Sequence, residues 1–177
     1  MKKTILFLPM LLTAAIAVAQ YKPVDPGSAL RFTVKNFGFD VQGSFTGLKG
    51  SINFDPQNLA NAGFDVTIDA GTINTDNSTR DQHLKGEDYF DVKNYPVIRL
   101  LSGKVVAGKN GVYVLTGALT IKGKSKEISF PFTVNPSNDG LVFKGSFKIN
   151  RKDFGVGGTS TIANELEVTL NVIAKKT

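Results

Sequence analysis

The chain has 177 residues, a formal charge of +6, one histidine and no cysteine. The absence of thiols excludes disulfides, cysteine nucleophiles, cysteine-ligated metals and a lipidated cysteine after a cleaved leader. The basic excess is mild, and without a clustered basic face or a reading motif it points to solubility or contact with anionic lipid, not to nucleic acid.

Lys2 and Lys3, an apolar run from Ile5 to Leu12, and Ala17-Val18-Ala19 before Gln20 follow the order of a secretory signal peptide over residues 1–19. The apolar run is too short, and the flank after it too rich in small residues, for a stop-transfer helix. Residues 20–177 are therefore expected to form one exported, soluble domain with a substantial core. The periplasm is the expected compartment, with full secretion as the fallback.

Beyond the leader the dominant period is two. Leu30, Phe32 and Val34 alternate with polar residues, as do Phe64, Val66 and Ile68. The same pattern recurs through Tyr113–Ile121, Ile128–Val134, Leu141–Ile149 and Leu166–Ala174. With Phe45–Phe54 and Val97–Ala107 added, about eight strands follow, separated by turn signals such as Asp55-Pro56, Lys109-Asn110-Gly111 and Asn138-Asp139-Gly140. Short turns make neighbours antiparallel, and one polar face per strand means that one side of the sheet meets a core. No long amphipathic helix is available to cover that side. The expected fold class is all-β, an eight-stranded antiparallel up-and-down barrel, with a two-sheet sandwich as the alternative.

One stretch breaks the period: "NSTRDQHLKGEDYFDVKNYP", Asn77 to Pro96. Overlapping capping-box signals at Ser78/Asp81 and Thr79/Gln82, and Gly86 as a left-handed stop, predict a helix from about Thr79 to Lys85. Asp81 and Lys85 would pair on it. The stretch reads as a long connection between the third and fourth strands, lying across one mouth of the barrel.

Catalytic constellations are few. His83 has Asp81, Glu87 and Asp88 near it in sequence, but no nucleophile elbow accompanies it, so the favoured reading is a helix residue that hydrogen-bonds a neighbour or faces the barrel mouth, with ligand contact and acid/base work as the alternatives. Of the nearby acids only Glu87 shares a helix side with His83, and two ligands do not make a metal site. Gly155–Gly158 lacks the Lys-Ser/Thr ending of a phosphate loop and reads as a strand connection. Lys122–Lys126 reads as a solvated hairpin tip, with contact to an anionic membrane as the alternative. In "NRKDFG", Arg151 and Asp153 would point the same way if extended, either as an ion pair or with Arg151 meeting a polar ligand head.

An eight-stranded barrel is just wide enough to be filled by side chains or to hold one ligand. The inward phase carries most of the 13 phenylalanines, interrupted by Gly117 and Gly145, which either leave space or permit sharp coiling. Pattern alone leaves filled and hollow interiors equally open. If hollow, the guest must be long: about ten methylenes are worth roughly 8 kcal/mol, against an association cost of about 4–15 kcal/mol.

In order and spacing, "STRDQHLKGEDYFDVKNYP", "LTGALTIKGKSKEISF" and "INRKDFGVGG" resemble the hallmark segments of the YceI-like family of exported lipocalin-like proteins, and the likeness runs from about Tyr21 to the C-terminus. Matching positions include Ser78, Asp81, His83, Leu84, Phe90, Asp91, Gly117, Leu119, Gly123, Arg151, Asp153 and Phe154. Asn36 stands where many members have a histidine. The resemblance implies an extended eight-stranded barrel with a short helical segment, and a tunnel that takes a polyisoprenoid, a quinone tail, or a fatty amide or acid. No cofactor is expected apart from that lipid, and no catalysis. The expected ligand contacts are Phe32, Phe45, Phe90, Leu119, Phe130, Phe132, Phe143, Phe147, Phe154 and Leu166, with His83, Arg151 and Asp153 at the polar mouth. Transient membrane contact is compatible with this reading, and a homodimer rests on family likeness alone. The rival readings are a lipid hydrolase using His83 and a ligand-free stress-response interaction module.

Overall fold

In the computed structural model, which describes residues 20–177, the alternating segments form one closed antiparallel sheet. The leader expected over residues 1–19 lies outside the described residues. The strands are β1 (Gln20–Asn36), β2 (Phe39–Phe45), β3 (Lys49–Asn53), β4 (Gly63–Asp69), β5 (Val97–Ala107), β6 (Val112–Ile121), β7 (Lys124–Ser137), β8 (Gly140–Asn150) and β9 (Ile162–Lys176). β2 and β3 both pair with β1, the strands from β3 to β9 pair in chain order, and β1 pairs with β9 from Tyr21↔Lys176 to Asn36↔Ile162, which closes the barrel.

The barrel has eight staves because β2 and β3 are consecutive halves of one. β2 pairs with β1 from Asn36↔Phe39 to Leu30↔Phe45, and β3 rejoins β1 at Tyr21↔Ile52. The single strand expected over Phe45–Phe54 thus starts earlier and breaks at Thr46–Leu48. The cause is local: Gly47 is left-handed at φ 79°, and the amides of Gly47 and Leu48 donate to the Asp25 carboxylate at 3.0 and 2.9 Å instead of to a strand. Asp25 itself sits in a bulge of β1 between Val24 and Ala29. Two irregularities on adjacent staves therefore stabilise each other.

Gly117 belongs to a second bulge. It faces Ser102, just before β5 slips register at Gly103, and a Cβ there would lie 2.5 Å from the Leu101 carbonyl. A Cβ at Gly145 would lie 2.9 Å from the Pro131 carbonyl. Both glycines let backbones approach closely, so of the two roles open to them coiling is the one they fill.

One end of the barrel is solid. Phe54 and Phe64 meet Phe132 and Phe143 edge-on, with Phe64 5.6 Å from Phe132 and 5.4 Å from Phe143 between ring centroids. Tyr113 joins them at 5.0 Å from Phe54, and Ile52, Val105, Leu115, Val172 and Ala174 complete this floor. Edge-to-face geometry sets the positive ring edge against the negative ring face.

The other end carries the connection from β4 to β5. It holds the helix α1 (Ser78–Lys85), bounded as expected but capped differently: the Asn77 side chain accepts from the Arg80 amide, and Gly86 ends the helix in extended conformation. The Asp81–Lys85 pair does not form, because Asp81 Oδ1 instead accepts from the amide and hydroxyl of Thr75 at 2.9 and 2.6 Å. The connection does more than cross the mouth. Ser44 and Asn74 exchange backbone hydrogen bonds of 2.8 and 3.0 Å, so it also covers the edge of β2 that β4 does not reach.

Candidate ligand-binding site

Along β9 the inward side chains change character. Ala174 and Val172 at the floor are buried, whereas Leu170, Val168 and Leu166 towards the other end remain partly accessible although they face the interior. Leu30, Phe32 and Val34 on β1 behave alike, as do Phe147 and Ile149 on β8. Inward residues stay accessible only if something is missing between them. What is missing is filled space: a cavity of about 240 Å³ runs from the Phe64–Phe132–Phe143 floor to a rim formed by Asn36, Val41, Ile162, Arg80 and Leu84. Close-packed interiors hold few voids larger than one water, so a space of this size is a designed feature of the fold.

Its wall is built from the alternating faces of nearly every stave. Phe32 packs over Gly43 on the neighbouring strand and lies 5.8 Å from Phe45, which meets Phe90 of the connection at 5.5 Å. Phe130 and Phe147 stack at 4.5 Å. Beneath the connection Leu119, Ile121, Phe154 and Val156 pack with Tyr89 and Phe90. Phe32, Phe45, Phe90, Leu119, Phe130, Phe132, Phe143, Phe147, Phe154 and Leu166 all line the cavity.

The polar residues expected at the mouth are distributed differently. His83 is exposed on α1 and does not line the cavity. Asp153 is likewise exposed, and forms no ion pair with Arg151. The reason is that "RKDF" is not extended: Arg151–Phe154 is a 3-10 turn, capped by the Asn150 side chain and stopped by left-handed Gly155 at φ 68°, so residues two apart diverge.

Arg151 is only 4 % exposed. Its Nε donates to Ala163 O at 3.0 Å, Nη1 to Val156 O at 2.8 Å and to Gly157 O, and Nη2 to Ser160 Oγ at 3.0 Å and Ile162 O at 2.8 Å. Every N–H of the guanidinium is used. Burial pulls its pKa below the ordinary arginine value, which still leaves it charged at any working pH. Arg151 thus organises the Val156–Ile162 loop and has no donor left for a ligand head.

Arg80, which the sequence did not single out, stands at the rim. It lines the cavity from the first turn of α1, with Nε donating to Thr75 Oγ1 at 2.7 Å and Nη2 to Thr75 O at 2.6 Å. Thr75 is 5 % exposed and hydrogen-bonded in turn to Asp81, so the fork is held in a fixed pose. No spacing rule could have found it, because its position depends on the connection folding back onto β2. Asn36 also reaches the rim, where its Oδ1 accepts from Thr161 Oγ1 at 2.7 Å.

The connection is fastened down. Gly157 N donates to Asp88 O at 2.8 Å, and Lys122 Nζ to Glu87 O at 2.6 Å. Lys122-Gly123 is the two-residue tip of the β6–β7 hairpin, and it holds this segment instead of standing free in solvent.

A closed eight-stave antiparallel barrel with a floor of aromatic rings, an apolar hollow and a helical connection at its mouth is a lipocalin-like barrel. The YceI-like domain profile matches residues 21–174, and the chain belongs to that family. A UPF0312 protein of Photorhabdus laumondii is 34 % identical over 172 residues, covering 87 % of this chain and 86 % of its own. Among solved structures, BcnA of Burkholderia cenocepacia superposes with a TM-score of 0.79 at 27 % identity, over 83 % of this chain and 96 % of its own. A polyisoprenoid-binding domain from Saccharophagus degradans has a TM-score of 0.72 at 15 % identity over 91 % of this chain and all of its own, a likeness of fold.

Proposed function

We propose that this protein binds a long-chain apolar molecule, such as a polyisoprenoid, a quinone tail, or a fatty amide or acid, and carries or sequesters it outside the cytoplasm. The single observation behind this reading is the hollow: inward-facing Leu166, Val168, Leu170, Phe32 and Val34 surround space and not one another. A chain threaded there loses its apolar contact with water, while its polar end stays at the rim. The Saccharophagus domain that shares the fold binds polyisoprenoid, which agrees with this assignment.

A carrier is favoured over an enzyme. The imidazole of His83 is exposed on α1 and makes no side-chain hydrogen bond among the described residues. His83→Ala is expected to leave ligand content unchanged, and turnover of a lipid ester lost in that variant would reverse the assignment. The proposed compartment, the periplasm, rests on the leader-like residues 1–19. Membrane contact would be transient and made at the rim, where Phe37 and Phe39 on the β1–β2 hairpin are 73 % and 77 % exposed.

The deciding experiment is organic extraction of protein purified from its native compartment, followed by mass spectrometry, alongside uptake of an apolar fluorophore. A stoichiometric lipid is expected. Repeated failure to recover one, together with no fluorophore uptake, would remove the carrier reading.

A further inference from the structure

The cavity's charged lining is one-sided. Among the described residues it is lined by Arg31, Arg80 and Arg151, and by no aspartate or glutamate. Arg31 is exposed and alternates outward from Phe32, so two guanidinium groups bear on the interior. Neither forms a salt bridge. Arg151 is surrounded by carbonyl and hydroxyl oxygens that satisfy its donors without cancelling its charge. Arg80 is different in the respect that matters. It spends only Nε and one Nη2 hydrogen on Thr75, so three of its N–H groups have no acceptor among the described residues. The one carboxylate beside it in sequence, Asp81, is turned to the amide and hydroxyl of Thr75.

We infer that the ligand is an anionic amphiphile, a long apolar chain ending in a carboxylate or a phosphate, and that Arg80 receives its head group. This rests on the carrier reading and narrows it. A guanidinium offers paired N–H groups in the plane that a carboxylate or phosphate can accept bidentately, and the pairing supplies the counter-charge that Arg80 lacks. The Asp81–Thr75–Arg80 chain of hydrogen bonds fixes the fork before the ligand arrives, which reduces the ordering cost of binding. The arrangement also sets direction: the head lies at the α1 rim and the tail points to the Phe64–Phe132–Phe143 floor. Neutral heads, an alcohol or an amide, accept a hydrogen bond from Arg80 but leave its charge uncompensated.

The test uses delipidated protein and three probes with one chain, oleic acid, oleyl phosphate and oleyl alcohol, each competing against a bound apolar fluorophore. The acid and the phosphate are expected to bind about 10- to 100-fold more tightly than the alcohol. Their ratio to each other tells which head the site prefers. Arg80→Gln is expected to abolish the preference for the acid and the phosphate over the alcohol, and Arg80→Lys to retain part of it. Equal affinity for acid and alcohol in the unaltered protein, which needs no variant to fold, overturns the assignment, as does a preference that survives Arg80→Gln. If the fluorophore and all three probes fail to enter, the carrier reading itself falls, a result distinct from entry without discrimination.

Discussion

The floor and the hollow of this barrel are made from the same strands by the same alternation, yet they do opposite things. At the floor, inward rings from β4, β7 and β8 and Phe54, just beyond β3, converge edge to face until no space remains. Towards the rim, Leu166, Val168, Phe32 and Phe147 belong to the same inward phase but find no partners across the axis. Stability is therefore concentrated at one end and binding capacity at the other. An apolar side chain stabilises in proportion to the neighbours it touches, so residues of one type carry different roles according to which end they occupy.

Truncations at the two ends should separate these roles. Phe64→Ala or Phe132→Ala is expected to cost about 3–5 kcal/mol in urea unfolding, as is usual for emptying a packed aromatic site. Phe32→Ala should cost a fraction of that and reduce lipid uptake instead, and comparable losses at both ends would erase the distinction. Next in size is Arg151→Met. It strands the carbonyls of Val156, Gly157, Ile162 and Ala163, with an expected loss of about 2–4 kcal/mol, and Arg151→Lys should rescue little because a single ammonium cannot span them. The melting temperature reads both.

Filling the hollow sharpens the contrast from the other side. Val168→Phe should leave unfolding free energy within about 1 kcal/mol while suppressing fluorophore uptake. The stabilisation by excess ligand, about 2.7 kcal/mol at a concentration of 100 Kd, should disappear with it. The smallest effect belongs to the outer surface. Arg99 donates to Asp65 at 2.8 Å across β4 and β5 and holds that carboxyl below its ordinary value of 3.8. Its contribution is present above the unfolded-state pKa and fades as pH falls through the lower folded one. Because the pair is exposed and salt-screened, Asp65→Asn should be only slightly less stable than the unaltered protein above the unfolded-state pKa, and an acid titration should bring the two together as pH falls.

Some of this was legible before the fold was known. Alternation at Leu166–Ala174, Leu141–Ile149 and Tyr113–Ile121 placed the staves and the inward phase, since a strand has only two faces. A helix from about Thr79 to Lys85 was legible from its capping-box signals and Gly86, although Asn77 is the residue that caps it and Gly86 is extended, not left-handed. The break at Thr46–Leu48 was not, because it is produced by Asp25 on another strand. Nor was the 3-10 turn at Arg151–Phe154, where Asn150 caps a segment whose spacing reads equally well as extended.

The sequence by itself therefore determined the all-β class, the antiparallel order, the family and the list of residues that face inward. Those follow from local periodicity and turn chemistry, which act over a few residues. Tertiary structure alone decided whether the inward residues would meet, and that a space remains between them. It also decided which arginine is spent and which keeps free donors, since folding surrounds Arg151 with oxygens and gives Arg80 only those of Thr75.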